Sequence, residues 1–129
     1  MGDKIVLADT TVLIDFFRKA DKANSKLITL FDQGYDFSIS AITHYEIYSG
    51  ATSAQLQFWE SVLARTKVLP FDQTISKAAV EINALSKRKR KQIGIADLFI
   101  AATAIKNNMP LATLNRKHFD RIDGLSLLD

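Results

Sequence analysis

Three acidic residues lie in apolar surroundings, where a carboxylate is not expected to be buried without a partner. Asp9 ends the apolar run Ile5 to Ala8, Glu46 lies within the stretch SAITHYEIYSG, and Asp97 lies within GIADLFIAATA, the most apolar segment of the chain. Most of the other acidic residues stand in polar stretches or near the ends of predicted helices. Asp9, Glu46 and Asp97 are therefore the candidates for chemistry.

Three converging carboxylates would favour a bound cation. Two like charges about 4 Å apart repel by about 4 kcal/mol at an effective dielectric constant of about 20, so either protons or a cation must offset the repulsion. The chain has no cysteine and only two histidines, so its ligand atoms would be carboxylate oxygens. Such ligands suit Mg²⁺ or Mn²⁺, and a hydrated divalent ion can activate water against a phosphodiester. The sequence thus favours a metal site at Asp9, Glu46 and Asp97.

Each of these residues also has a simpler explanation when it is taken alone. Asp9 could cap a helix, and Glu46 could lie on the solvent side of an amphipathic helix. Asp97 could interact with the dipole of the first helical turn. The apolar setting of Asp97, however, is not explained by a dipole interaction.

The elements that would position these residues alternate between strands and helices. Strands are predicted at Lys4 to Ala8, at Asp36 to Ser40 and in the segments KVLPF, PLAT and LSLL. Helices are predicted from about Thr11, over 24–33, 42–49 and 55–65, from the cap Asp72 onward and over IADLFIAATAIKNN, and RKHFD reads as a short turn or helix. This alternation predicts an α/β fold with a parallel sheet between helices.

A parallel sheet would place the candidate residues near one edge, because ligands of open parallel sheets bind beyond the carboxyl ends of the strands. Asp9 lies there directly, Glu46 follows the second strand by one helical turn, and Asp97, near the start of its helix, could face the same crevice. The length of 129 residues predicts a single domain spanning 1–129.

Composition excludes several classes of protein. Hydrophobic residues make up 47% and charged residues 24% of the chain, which is typical of a folded globular protein. The absence of cysteine excludes disulfides and thiol catalysis and is compatible with the cytoplasm. No segment approaches the roughly 18 apolar residues of a membrane span, and the first apolar run is too short for a signal peptide. We therefore expect a cytoplasmic protein without a membrane association.

The net charge of +3 comes from one basic block, which we define as Lys87, Arg88, Lys89, Arg90 and Lys91. Outside this block the acidic residues outnumber the basic ones. A polyanion such as RNA would therefore be attracted locally, and Arg116 is a further candidate for RNA contact. The alternative is that the basic block is only a solvated loop.

Four stretches together resemble the PIN-domain family, and most closely its toxin ribonucleases, the VapC-like toxins of toxin–antitoxin pairs. They are VLADTTVLIDFF, ISAITHYEIYSGA, IGIADLFIAATA and PLATLNRKHF, they occur in the family's order and spacing, and they cover the chain nearly from end to end. The resemblance implies a three-layer α/β/α fold with a central parallel sheet of about four to five short strands.

The resemblance also implies a function and its residues. The family's acidic metal ligands fall on Asp9, Glu46 and Asp97, with Thr10 beside the first. Asn115 occupies the fourth position, where many relatives have Asp, and this departure speaks against a second tightly held metal. The resemblance implies an Mg²⁺- or Mn²⁺-dependent endoribonuclease that leaves a 5′-phosphate and a 3′-hydroxyl, is commonly dimeric and is silenced by a cognate antitoxin.

Other functions fit the residues less well. A haloacid-dehalogenase-type phosphatase needs a second Asp where Thr11 stands, and a response-regulator receiver needs an acidic pair that is missing. The remaining alternative is a PIN-like domain that binds RNA or protein without cutting. His44 and His118 are expected in structural or surface roles, and Asp15 is expected to be a solvated helix residue.

Overall fold

The computed structural model describes residues 4–128 and contains the predicted parallel sheet. Its strands are β1 (Lys4–Ala8), β2 (Tyr35–Ser40), β3 (Lys67–Leu69) and β4 (Leu111–Ala112). All neighbours pair in parallel in the order β3-β2-β1-β4. The first strand is therefore interior, and its carboxyl end lies between those of β2 and β4.

Helices form every long connection. They are α1 (Thr10–Arg18), α2 (Lys26–Asp32), α3 (Ala41–Gly50), α4 (Ser53–Leu63), α5 (Gln73–Arg88) and α6 (Ile95–Lys106). Two single 3₁₀ turns, Lys22–Asn24 and Arg116–His118, complete the described elements. In the part of the chain that the structure describes, no helix is both long enough and apolar enough to cross a membrane.

Hydrophobic cores lie on both faces of β1. The strand contributes side chains to both, because successive strand residues point to opposite sides. Val6 and Ala8 pack on the side of α1 and α4 with Leu13 and Trp59, whereas Leu7 packs on the side of α5 and α6. A strand covered on both faces must be apolar throughout its buried part. Its end is therefore an unusual position for the carboxylate of Asp9.

The middle of the sixth helix is buried, as its apolar sequence predicts, whereas Ile95 and Lys106 at its two ends are exposed. Its alanines at 101, 102 and 104 have no exposed surface. Such small side chains allow α5 and the sheet to approach closely. Because α6 is fixed in this way, the position of Asp97 in its first turn is fixed as well.

Several predicted helix and strand ends shift by one or two residues, and two segments differ more. The segment LSLL forms only a single bridge, between Leu127 and Leu111, because β4 is too short to pair with a longer strand. Lys87 and Arg88 of the basic block belong to the last turn of α5. The helix ends at Arg88, and in the turn that follows Arg90 has a φ of 56°, in the left-handed region that ends many helices.

The prediction that Asp15 is a solvated residue is wrong. Its Oδ2 accepts a hydrogen bond of 2.9 Å from the backbone N–H of Lys26, the first residue of α2. Only 19% of its side chain is exposed, and its Oδ1 lies 3.7 Å from Nζ of Lys19. Asp15 thus joins α1 to the start of α2, a contact between distant segments that helical periodicity does not show.

We expect Asp15→Ala to lower the free energy of unfolding by about 1 kcal/mol, because it removes the acceptor for the N–H of Lys26. Lys19→Gln removes only the ion pair and should cost less than about 0.5 kcal/mol. Chemical denaturation of both variants measures the difference. Equal losses would show that the ion pair, and not the backbone hydrogen bond, stabilises this contact.

Candidate active site

Asp9 lies at the carboxyl end of β1 and caps α1. Its Oδ1 accepts a hydrogen bond of 3.2 Å from the backbone N–H of Val12, so the simple capping interpretation holds. A cap is normally solvated, however, and Asp9 is only 3% exposed. Its own N–H donates to the carbonyl of Ala112, the last residue of β4, at 3.0 Å. This bond holds Asp9 beside the loop that follows β4.

Two threonine hydroxyls donate to the carboxylate of Asp9. Thr11 donates to Oδ1 at 2.5 Å, and Thr113, from the loop after β4, donates to Oδ2. Each hydroxyl is itself held by a backbone donor, Leu114 N–H at 3.0 Å for Thr11 and Asn115 N–H at 2.9 Å for Thr113. The carboxylate is therefore fixed by neutral groups from two distant segments of the chain.

Burial raises the pKa of Asp9 above its ordinary value of 3.8, although the hydrogen bonds from Thr11, Thr113 and the backbone act in the opposite direction. Desolvation disfavours the ionised form, and neutral donors offset this cost only in part. The folded protein therefore favours either a proton or a cation at Asp9.

Glu46 lies on α3 and is connected to the residue after Asp9. The hydroxyl of Thr10 donates to Oε1 of Glu46 at 2.6 Å and lies 3.1 Å from the hydroxyl of Thr43, which is fully buried. Ser40, at the end of β2, caps α3 through the N–H of Thr43 at 3.0 Å. Glu46 is half-buried, so one side of it faces the site and the other reaches solvent.

Asp97 is held by a histidine. Its Oδ2 lies 2.9 Å from Nδ1 of His118, and 28% of its side chain is exposed. His118 ends the 3₁₀ turn after β4, and its backbone N–H donates to the carbonyl of Asn115 at 3.0 Å. The loop that carries Thr113 thus also contacts Asp97.

Hydrogen bonds connect all three candidate carboxylates to the carboxyl edge of the sheet. The loop after β4 bonds to Asp9 through Thr113 and to Asp97 through His118, and Thr10 joins the end of β1 to Glu46. Within residues 4–128, no group of three or more His, Asp or Glu side chains is arranged to hold a metal ion. The oxygen-only donor set nevertheless has the chemistry that a hard divalent cation requires, so metal binding by these residues stays a prediction.

The other predicted site residues are divided between the site and its surroundings. Asn115 is exposed beside Thr113. Arg116 donates from Nη1 to the carbonyl of Leu128 at 3.0 Å, which directs its guanidinium toward the C-terminal segment. Of the basic block, only Lys89 and Lys91 line a cleft that Asp97 and His118 also line. The predicted RNA contacts of the block and of Arg116 remain predictions.

Comparison with known proteins identifies the family. The model of the PIN domain matches residues 6–125. The chain belongs to the PIN-domain family. Among curated PIN-domain relatives, Ribonuclease VapC10 of Mycobacterium tuberculosis is 31% identical over 121 residues, which cover 94% of this chain and 90% of the relative. Ribonuclease VapC1 of Methanocaldococcus jannaschii is 35% identical over 127 residues, which cover 96% and 87%.

Solved structures support the same family and the predicted fold. The DNA-bound VapBC structure from Salmonella typhimurium superposes with a TM-score of 0.82 at 26% identity, covering 100% of this chain and 98% of the other. VapBC2 from Rickettsia felis, bound to a promoter DNA fragment, gives a TM-score of 0.81 at 26% identity, with 96% and 97% covered. These matches confirm the PIN-domain resemblance and the three-layer α/β/α fold drawn from the sequence.

Sequence reasoning missed three members of the site. The hydroxyls of Thr11 and Thr113 hold Asp9, and His118, expected in a structural or surface role, contacts Asp97. A usable signal was the threonine that follows the end of each of two neighbouring strands, in ADTT and in ATLN. No comparable local signal connects His118 to Asp97, because they are brought together only by the packing of α6 against the loop after β4.

We expect Asp9→Asn to raise the melting temperature of the protein in chelator at neutral pH. Because the folded pKa of Asp9 lies above its value of 3.8 in the unfolded chain, the parent loses stability as pH rises from about that value through the folded pKa. The variant should lack this loss. Thermal unfolding followed at several pH values, in chelator, measures both effects.

Asp72→Asn is the matched control, since Asp72 caps α5 through Ile75 N–H at 3.1 Å and lies on an exposed turn. Asn and Asp are about equally good caps, so this change should be nearly neutral. A lower melting temperature for Asp9→Asn would mean that the hydrogen bonds accepted by Asp9 outweigh the cost of its burial.

Proposed function

We propose that this protein is a Mg²⁺- or Mn²⁺-dependent endoribonuclease and the toxin of a type II toxin–antitoxin pair. Its membership of the PIN-domain family and its similarity to ribonucleases named VapC support this function. The observation that carries the proposal is the buried Asp9 carboxylate, which only neutral groups contact among the described residues and which one hydrogen-bonded loop connects to Asp97. A cation at this edge would offset the cost of that burial.

Asp9 and Asp97 are the proposed direct ligands of the metal, and Glu46 is a ligand directly or through water. Thr10 and Asn115 would position water or the ligands themselves. When bound, the divalent cation would polarise the scissile phosphate and the water that attacks it. With Asn in place of a fourth carboxylate, the donor set carries three negative charges, which suits one cation better than two.

The protein's own residues would prepare this reaction by fixing the acceptors before RNA arrives. Thr11 and Thr113 restrict the rotation of the Asp9 carboxylate, and Thr10 restricts that of Glu46. Groups that are already oriented need no reorganisation during the reaction, which is the main source of electrostatic catalysis. In-line attack of water would then release a 5′-phosphate and a 3′-hydroxyl.

The proposed protein partner is a cognate antitoxin. A groove beside Glu46 is lined by residues of α1, α3 and α4, among them Phe17, Ile47 and Trp59. The phenylalanines of α1 stack with Phe58 and Trp59 of α4, and Arg18, Glu46 and Gln55 add polar groups to the groove. An antitoxin segment bound there would lie next to a proposed ligand and could block RNA. A cytoplasmic location and a homodimer complete this proposal.

The alternative is a PIN-like domain that binds RNA or protein without cutting. The polar contacts around all three carboxylates favour the enzyme, because a binding domain has no physical need to bury Asp9 with a raised pKa. Metal-dependent cleavage that chelator abolishes distinguishes the two.

We expect Asp97→Asn to reduce RNA cleavage by at least about 100-fold, because it removes the negative charge of a proposed metal ligand while preserving the shape of the side chain. Cleavage of a mixed RNA substrate would be followed with Mg²⁺, with Mn²⁺ and with chelator.

Asp36→Asn is the matched control for this experiment. Asp36 is exposed near the amino end of β2, away from the carboxyl edge of the sheet, so its loss should leave cleavage unchanged. If Asp97→Asn still cuts like the parent, the metal-site assignment is wrong.

We also expect the protein, when expressed without an antitoxin, to slow the growth of its host cell. Asp9→Ala should relieve this inhibition, because it removes a proposed metal ligand. Growth curves at matched protein levels measure the effect, with immunoblotting to verify those levels. Equal inhibition by parent and variant would indicate that toxicity does not arise from catalysis.

A further inference from the structure

A cleft of about 290 Å³ opens beside Asp97, and neither Thr11 nor Thr113 is among its lining residues. Its polar walls carry Lys89 and Lys91 from the turn after α5, and Lys117, His118 and Arg121 from the segment after β4. Asp97 is the one acidic residue among its lining residues. Two segments that are distant in sequence therefore bring four permanent cations to one cleft at the edge of the proposed site.

The turn after α5 places Lys89 and Lys91 of the basic block in the lining of this cleft. The N–H of Lys91 donates to the carbonyl of Ser86 at 2.8 Å, across the left-handed residue Arg90. Nζ of Lys89 lies 2.9 Å from Oδ2 of Asp123, which fastens this turn to the segment after β4. Lys87, Arg88 and Arg90 are not among the lining residues.

Most of the positive charge in the cleft is free to meet an anion. Among the described residues, Lys91, Lys117 and Arg121 make no ion pair, and all three are exposed. Lys89 is the exception, because Asp123 partly offsets its charge. Cations held together without counter-charges repel one another, and binding of an anion relieves this repulsion.

We propose that this cleft binds a backbone phosphate of the RNA, next to the phosphate that is cut. The inference rests on the proposed function, in which Asp97 takes part in cleavage. Because every nucleotide carries a phosphate, a strand engaged at Asp97 must place a neighbouring phosphate nearby, and the cleft shares Asp97 as its wall. Lys91, Lys117 and Arg121 bind that phosphate, and Lys89 fixes the turn.

RNA is then bound by a defined set of cleft residues and not by the whole basic block. Phosphate contacts carry no base information, so the cleft contributes affinity and alignment but not sequence preference. The cations of the cleft would also hold RNA beside three carboxylates while no metal is bound to them.

The test measures binding of a fluorescent single-stranded oligo(U) to the full chain in chelator, where no cleavage occurs, as a function of salt. Two cleft variants, Lys91→Gln/Arg121→Gln and Lys117→Gln/Arg121→Gln, are compared with Lys87→Gln/Arg88→Gln. All three lose two positive charges, and only the third changes residues outside the cleft. Thermal unfolding verifies that each variant is folded.

Each cleft variant should lower the log–log salt slope by about 0.7, since the three cations bind one phosphate and each lost phosphate contact of a single strand is worth about 0.7. The control should keep the parent slope. Oligo(A) should lose affinity by the same factor as oligo(U). Equal slopes in cleft and control variants would overturn the proposal. It would also be overturned if the cleft variants lost affinity for a poly-glutamate peptide by the same factor as for RNA, because the cleft would then be assigned to an acidic protein segment.

Cleavage assays separate this inference from the proposed function. With Mg²⁺ or Mn²⁺, the cleft variants should raise KM much more than they lower kcat. If the parent binds RNA with the expected slopes but never cuts, the nuclease proposal fails while the phosphate site stands. If the parent cuts and the slopes of all variants are equal, the phosphate site fails while the nuclease stands.

Discussion

The buried carboxylate of Asp9 is the group on which the arrangement of the site depends. A strand covered on both faces delivers it to the sheet edge, and the hydroxyls of Thr11 and Thr113 then fix both oxygens. These donors are neutral, so they orient the carboxylate without cancelling its charge. An ammonium or guanidinium in the same place would have satisfied Asp9 permanently and left little affinity for an external cation.

The apolar core and the polar edge have complementary roles. The closely packed alanines of α6 and the pairing of β4 with β1 restrict the backbone near Asp97 and Thr113. The polar side chains can therefore use short, directional hydrogen bonds without first paying much conformational entropy. The site is positioned by the core and oriented by hydroxyls and one imidazole.

Much of this arrangement could be predicted from the sequence, for identifiable reasons. Alternation of buried strands with amphipathic helices is a local pattern, and it correctly indicated β1, β2, α5 and α6. Asp9 and Asp97 were singled out as candidates because a carboxylate in an apolar run is a local anomaly. The burial of Asp15 and the contact between His118 and Asp97 were not predicted, because the partners involved, Lys26 N–H and Asp97, are not neighbours in sequence. Only two residues of the basic block line the cleft beside Asp97, and this depends on the left-handed backbone of Arg90, which no charge pattern reveals.

The loop from Thr113 to His118 serves two carboxylates at once, one at each end. Its length is therefore under a tighter constraint than the identity of its middle residues. Exchanging Leu114 or Lys117 would leave both contacts in place, whereas inserting or deleting one residue would separate Thr113 from Asp9 or His118 from Asp97. The middle residues of such a loop can therefore change more freely than its residue count.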